Sequence, residues 1–143
     1  MDSREGCTWF PITRIRPPEV IRELINTYDE SLDPQAREWW YSQFLATVDA
    51  ALSQYSAPSG VWYLDYLGVL PEYQRRGIAK ALVLPLREQA KLEGWKFALT
   101  TQTLENVRFY ESLGFRIGRT LVIPGSSIGD VTVYVMVNGF DDG

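Results

Sequence analysis

The sequence predicts an α/β fold built on a mixed sheet, and three observations support this prediction. First, two β-branched and aromatic runs, "VWYLDYLGVL" (61–70) and "WKFALTT" (95–101), enclose an amphipathic helical stretch, an order typical of parallel strands joined by a helical crossover. Second, the chain closes with two strand-like runs around "GSSIGD", which predicts an antiparallel hairpin. Third, residues 1–60 read mostly as helix, and the strands belong to residues 61–137.

The composition sets the size and class of the protein. With 143 residues, 45% of them hydrophobic, the chain supports one core, so we expect a single domain over residues 1–143. Its net charge of −4 disfavours nucleic acid and anionic membranes as partners. The single Cys7 allows no internal disulfide, and neither a secretory signal nor a membrane-spanning run is visible, so we expect a cytoplasmic protein. Histidine is absent, which removes histidine from every mechanism and metal site considered.

Two helices are predicted in the N-terminal part. Residues 17–32 place apolar side chains at helical spacing. Asp33 and Pro34 are the residue types of an N-cap and a first helical residue, so a second helix is expected to begin there. Its apolar stripe is expected to pack into the core and comprises Trp40, Phe44, Val48, Ala51 and Tyr55.

Glycine and threonine residues mark the limits of the elements in the core. Gly68, inside the first strand, predicts a bulge or a close backbone approach. The crossover helix is expected to begin near Ile78 and to close at Gly94. A shorter helix is expected to be capped by Thr103 and to end at Gly114.

The turn between the first strand and the crossover helix, "QRRGIA" (74–79), is a candidate binding site. The first N–H groups of a helix lack partners within the helix, and they favour an anion. Gly77 and the small Ala79 leave room for a diphosphate near the backbone, while Arg75 and Arg76 add charge-assisted hydrogen bonds. The same residues also suit a solvated tight turn that needs a glycine and binds nothing. The turn is neither the dinucleotide fingerprint nor a P-loop, so those nucleotide sites are disfavoured.

Two longer segments, in this order, resemble the GNAT superfamily of acetyl-CoA-dependent N-acetyltransferases. "LGVLPEYQRRGIAKAL" (67–82) matches the family's pyrophosphate signature at Gln74, Gly77 and Ala79, and "ENVRFYESLGF" (105–115) is similar to a second element of the family. The resemblance implies the three-layer acyl-CoA N-acyltransferase fold, in which a mixed sheet splays between two parallel strands to admit the pantetheine arm. Because the N-terminal part offers only "CTWFPITRI" as a strand, its sheet is expected to be reduced.

The resemblance also implies acetyl-CoA as cosubstrate, no metal, and roles for individual residues. Asn106 would hydrogen-bond the pantetheine arm, and Tyr110 would protonate the departing thiolate as general acid. These two residues are four apart and share a helix face. The end of the first strand and the turn would hold the rest of the cosubstrate through Leu67, Gly68, Val69, Gln74, Arg75, Arg76, Gly77, Ile78, Ala79 and Lys80. Without the turn motif, Tyr110 reads as a core aromatic and Asn106 as a capping or solvent-facing residue.

The implied reaction is direct transfer of the acetyl group to an amine of a small molecule or a peptide. The base that deprotonates the amine is left open between Asp65, Glu72 and water, because Asp65 also suits a solvated position and Glu72 a helix first turn. A second hypothesis is a catalytically degenerate module that binds CoA or a partner protein. A reduced N-terminal sheet would leave an edge on which a homodimer could form.

Overall fold

The computed structural model describes residues 7–11, 26–55, 61–127 and 129–139. It contains a five-stranded sheet in the order β1-β2-β3-β5-β4, with helices on both faces. The strands are β1 (Cys7–Pro11), β2 (Val61–Leu67), β3 (Lys96–Thr101), β4 (Arg116–Ser126) and β5 (Gly129–Asn138). Within the described residues, no helix is both long and apolar enough to cross a bilayer.

The sheet is mixed, as the sequence predicts. Strands β2 and β3 are parallel, which confirms the crossover between them, and every other neighbouring pair is antiparallel. Strands β4 and β5 form the expected hairpin, joined by a turn shorter than "GSSIGD" because both strands extend into that segment. Strand β1 pairs along the outer side of β2 and is the N-terminal contribution to the sheet within the described residues.

Helices precede β2 along the chain. Residues 26–31 form helix α1, while the remainder of the predicted helix, 17–25, lies outside the described residues. Helix α2 (Pro34–Trp39) begins as predicted, because the Asp33 carboxylate accepts a hydrogen bond from the N–H of Ala36 at 2.9 Å. A π-helical turn (Trp40–Leu45) and helix α3 (Ala46–Ser53) continue it without a break.

Two further helices follow β2 and β3. Helix α4 (Ile78–Leu92) connects the parallel strands, and the chain leaves it through Gly94 at φ +70°. Helix α5 (Leu104–Ser112) is capped by the Thr103 hydroxyl, which accepts from the N–H of Asn106 at 3.2 Å. Gly114 at φ +87° ends α5 in the left-handed conformation that glycine tolerates.

Alternate residues of the strands face opposite helical layers. In β3, Ala98 faces α2 and α3, whereas Phe97 and Leu99 face α4 and α5. We call the first cluster the α2–α3 core; its buried residues are Phe44, Val48, Ala51, Leu52, Val61, Ala98, Leu121, Ile123, Val133, Val135 and Val137. We call the second the α4–α5 core; its buried residues are Leu64, Val83, Phe97, Leu99, Val107, Tyr110, Leu113, Phe115 and Met136.

The end of β2 differs from the prediction. The strand stops at Leu67, before the expected residue 70, because its pairing with β3 ends at Leu64 and its pairing with β1 ends at Leu67. Pro71 then opens a 3₁₀ turn (Pro71–Tyr73). Neither feature expected at Gly68 is found there among the described residues: beyond its two chain neighbours, no atom lies within 4 Å of the place a Cβ would take, and the bulge lies instead at Asp65. Thr8 of β1 opposes Tyr66 and Trp9 opposes Leu64, so Asp65 is the extra residue between them.

Candidate functional site

A cleft of 740 Å³ opens where the parallel strands separate. Pairing between β2 and β3 runs from Val61–Lys96 to Leu64–Leu99, after which β2 continues to Leu67 and β3 to Thr101 without pairing to each other. The cleft thus lies at the carboxyl ends of both strands. Of the residues expected at the site, those that line it are Leu67, Val69, Gln74, Arg75, Gly77, Ile78, Ala79, Lys80, Asn106 and Tyr110.

The start of α4 forms one wall of the cleft. Gly77 takes the N-cap position at φ +79°, and no side chain accepts a hydrogen bond from the first turn of α4 at this cap. The amides of Ile78, Ala79 and Lys80 therefore keep the positive character of an uncapped helix start beside the cleft. An anion is the kind of group that this arrangement stabilises.

Side chains of the preceding loop hold its shape. The Gln74 amide donates to the Val69 carbonyl at 2.9 Å, which ties the start of the turn to the end of the strand region. Arg75 has φ +61°, a left-handed conformation that residues with a Cβ rarely adopt. Arg75 lines the cleft, but the Arg76 guanidinium lies over the ring of Tyr73, 5.7 Å from its centroid, and Arg76 does not line the cleft.

Helix α5 supplies the opposite wall. Asn106 and Tyr110 both line the cleft, as their spacing on one helix face predicts. The Asn106 amide donates to the Thr101 hydroxyl at 3.0 Å, which links the helix to the end of β3, where the strand is no longer paired with β2. Because Thr101 is buried, this hydrogen bond fixes the orientation of the Asn106 side chain.

Tyr110 belongs both to the cleft lining and to the α4–α5 core. Its side chain is 8% exposed and packs edge-on against Phe109, at 5.0 Å between ring centroids, and Phe115, at 5.8 Å. These contacts hold the ring in one position relative to the cleft. The alternative roles proposed for Tyr110, core aromatic and site residue, are therefore compatible in this fold.

The two candidate bases lie outside the cleft lining. Asp65 is exposed at the β2 bulge, and partial desolvation raises the pKa of its carboxyl above the ordinary value. Glu72 lies in the 3₁₀ turn that follows β2. Gly68, predicted to contact the cosubstrate, is also outside the lining.

Four cleft residues were not among the predicted site residues, namely Tyr73, Glu105, Arg108 and Phe109. Arg108 and Phe109 lie within "ENVRFYESLGF", so their position between Asn106 and Tyr110 is a signal that could have identified them. Glu105 opens the same segment and is also a first-turn acid, but neither signal points to its partner: its carboxylate accepts from the Arg75 guanidinium at 2.5 Å. The described residues contain no group of three or more carboxylates or thiols placed to hold a metal ion.

Comparison with known proteins gives several matches that each cover between half and two thirds of this chain. A probable serine/threonine-protein kinase of Dictyostelium discoideum is 27% identical over 94 residues, which make up 66% of this chain and 10% of that protein. The ribosomal-protein-S18-alanine N-acetyltransferase of Escherichia coli is 24% identical, with a TM-score of 0.49, over 57% of this chain and 54% of that one. Arabidopsis thaliana NAA60, in complex with acetyl-CoA, is 27% identical, with a TM-score of 0.47, over 55% and 48% respectively.

The chain spans about a tenth of the length of the curated relative and about half the length of these solved structures. The family model described as "Acetyltransferase (GNAT) domain" matches residues 35–117. This match extends from α2 through α4 and α5 to the start of β4, and so includes both walls of the cleft. Because it covers more than half of the sequence, the chain belongs to the GNAT acetyltransferase family.

Proposed function

We propose that the chain is an acetyl-CoA-dependent N-acetyltransferase, which transfers the acetyl group directly to an amine of a small molecule or a peptide. Family membership supports the reaction class, and the cleft supports the mode of binding. The observation on which the proposal chiefly rests is the pairing of an uncapped helix start with Asn106 and Tyr110 across one cleft. This arrangement offers an anion site at one position and hydrogen-bonding groups at another.

The residues present fit the chemical parts of acetyl-CoA. The first turn of α4, with the cations Arg75 and Lys80 beside it, would hold the pyrophosphate. The end of β2 around Leu67 and Val69, which has no strand partner on the β3 side, would pair with the amides of the pantetheine arm. Asn106, already oriented by Thr101, would hydrogen-bond the same arm from the opposite wall.

The protein's part in the chemistry is to position the thioester and to supply one proton. Acetyl-CoA brings an activated acetyl group, and the neutral amine forms the new C–N bond as the C–S bond breaks. The Tyr110 hydroxyl would then give its proton to the departing sulfur. Since Asp65 and Glu72 lie outside the cleft lining, we propose that the amine loses its proton to water, with Asp65 ranked ahead of Glu72 as a relay because desolvation raises its pKa.

One observation favours the second hypothesis, a catalytically degenerate module that binds CoA without transferring the acetyl group. Within the described residues, the N-terminal part contributes only β1 to the sheet, which is the arrangement expected of a module with a reduced N-terminal sheet. The two hypotheses agree on cosubstrate binding and differ in product formation.

The test is calorimetric titration of acetyl-CoA into the purified chain, followed by mass spectrometry of reactions with a panel of small amines and peptides. We expect saturable binding that weakens in Arg75→Ala and is unchanged in Arg119→Ala, whose side chain is exposed on β4 and outside the cleft. Binding with an acetylated product supports the enzyme. Binding without product across the panel supports the degenerate module that binds CoA. No binding by a folded chain rejects both the enzyme and the CoA-binding module, and leaves a module that binds a partner protein.

A further inference from the structure

An ion pair joins the two walls of the cleft across its mouth. The guanidinium of Arg75, in the loop before α4, donates to the carboxylate of Glu105, in the first turn of α5, at 2.5 Å. Both residues line the cleft, and their side chains are 85% and 72% exposed. The pair is thus a contact between charged groups in solvent, and it can break without disturbing the packed core.

The charges around the cleft make this pair unusual. The lining residues include the cations Arg75, Lys80 and Arg108. Within the part of the chain that the structure describes, Glu105 is the single carboxylate residue that lines the cleft. At a site that favours a polyanion beside the start of α4, the one negative side chain of the lining is therefore paired with Arg75, the arginine of the preceding loop that lines the cleft. In the free protein, Glu105 neutralises Arg75, and it also repels any anion that enters.

The backbone at Arg75 limits how the pair can respond. The loop holds Arg75 in a left-handed conformation, and the neighbouring Gln74 side chain is tied to the Val69 carbonyl. The largely exposed guanidinium is therefore the part that can change partner. Phosphate oxygens accept bidentate hydrogen bonds from arginine and carry more negative charge than one carboxylate, so they compete for the same donors.

We propose that Glu105 sets the affinity of the cleft for the phosphates of its cosubstrate: it holds Arg75 in the free protein and releases it when the phosphates bind. This inference rests on the proposed function, because it assumes a CoA ligand. Acetyl-CoA and the product CoA carry the same phosphates, so an unopposed Arg75 would tighten both. Glu105 is therefore a positioning residue that keeps product release fast by weakening the shared anchor.

The experiment is a double-mutant cycle measured by calorimetry with acetyl-CoA and with CoA. Glu105→Gln keeps the size of the side chain and removes its charge, and we expect both ligands to bind about 3- to 5-fold more tightly, the upper part of the range for an exposed ion pair. Arg75→Gln weakens binding. In the Arg75→Gln background, adding Glu105→Gln gives a smaller gain, because the arginine that it would free is gone. Raising the KCl concentration reduces the gain in the single variant.

Glu111→Gln is the matched control, because it makes the same charge change on α5 at an exposed position outside the cleft lining. It should leave both affinities unchanged, and thermal unfolding should show all variants folded. An affinity unchanged by Glu105→Gln, in a parent chain that binds acetyl-CoA, overturns this inference and leaves the proposed function standing. An equal gain in both Arg75 backgrounds shows simple repulsion and also overturns it. No binding by any of these proteins rejects the proposed function as well.

Discussion

The two faces of the sheet differ in what their packing serves. The α2–α3 core is separate from the cleft: its helices cover valines of β5, and none of its buried residues lines the 740 Å³ cleft. The α4–α5 core is open at one end, where the helix that packs on the sheet also forms a cleft wall. Tyr110 shows the difference most directly, since it is counted among the buried residues of that core and among the residues lining the cleft.

Stability and cosubstrate binding should therefore be separable on the α2–α3 face of the sheet and coupled on the α4–α5 face. A change in the α2–α3 core is expected to alter the free energy of unfolding alone. A change in the α4–α5 core moves α5, and with it Asn106 and Tyr110, so it is expected to alter unfolding and cosubstrate binding together.

The largest effect should come from truncating one aromatic residue in each core. Phe44 stacks on Trp40 at 4.4 Å between ring centroids, and Phe97 packs edge-on against Phe115 at 5.2 Å. Each change to alanine should lower the free energy of unfolding by about 3–5 kcal/mol, measured by urea titration. At a temperature where both variants remain folded, only Phe97→Ala should weaken acetyl-CoA binding. Equal weakening by the two variants would show that the faces are not separable.

Removing one hydroxyl should separate chemistry from packing within the α4–α5 core. Tyr110→Phe keeps the ring contacts with Phe109 and Phe115, so acetyl-CoA affinity should change little. If Tyr110 is the general acid, turnover should fall by about 10²-fold, measured by thiol release with an active acceptor. Tyr134→Phe is the control, because Tyr134 packs against the same core and does not line the cleft. Unchanged turnover in Tyr110→Phe would remove its catalytic role.

A pH titration of stability should test the raised pKa of Tyr63, whose hydroxyl joins the two parallel strands beside the α2–α3 core. The Tyr63 hydroxyl of β2 is hydrogen-bonded to the Thr100 hydroxyl of β3 at 2.8 Å, and burial raises the pKa of Tyr63 to about 12 from an ordinary value of 10.0. Between these pH values the unfolded chain has released the proton and the folded chain keeps it. Stability should therefore fall by about 2–3 kcal/mol as pH rises through this window.

The measurement is urea unfolding of the parent chain and of Tyr63→Phe on both sides of that window. Other groups also titrate at high pH, so the informative quantity is the difference between the two proteins. We expect the parent to lose more stability than Tyr63→Phe. Equal losses in the two proteins would contradict a partly buried Tyr63 that stays neutral in the folded protein.

The smallest expected effects concern the two helix caps, one on each side of the sheet. Asp33 caps α2 and Thr103 caps α5, each through a side-chain oxygen that accepts a backbone N–H. Either change to alanine should cost about 1 kcal/mol of stability, measured by thermal or urea unfolding. Thr103→Ala should also weaken acetyl-CoA binding, since Thr103 holds the N–H of Asn106, whereas Asp33→Ala should not. If Asp33→Ala also weakened acetyl-CoA binding, stability and binding would be coupled on both faces of the sheet.

The elements with local signals were predictable from the sequence. Asp33 with Pro34, and Thr103 with Gly114, mark helix limits through the chemistry of caps, which needs no tertiary information. The parallel pairing of β2 and β3 follows from a helix between two apolar runs, and the turn at Gly77 from its need for a left-handed residue. The family resemblance then brought together ten of the residues that line the cleft.

What the sequence could not show depends on contacts between distant segments. The ion pair between Arg75 and Glu105 joins residues on different walls, so each residue alone has an ordinary local role. In the π-helical turn Trp40–Leu45, the apolar residues of the sequence have ordinary α-helical spacing. The different hydrogen bonding of this turn can be seen only in the folded helix. The position of the bulge at Asp65 depends on the register with β1, which no local pattern specifies.

Strand β1 has a consequence for the order in which the protein assembles. Its five residues pair with β2 from Trp62 to Leu67, including the stretch that has no partner on the β3 side. Strand β1 thus lies beside the end of β2 that β3 leaves unpaired, and the two strands are about fifty residues apart along the chain. Such a contact closes a long loop, which is entropically slow to form. During synthesis, β1 would therefore stay unpaired until β2 has been made, and the sheet beside the cleft would be completed only then.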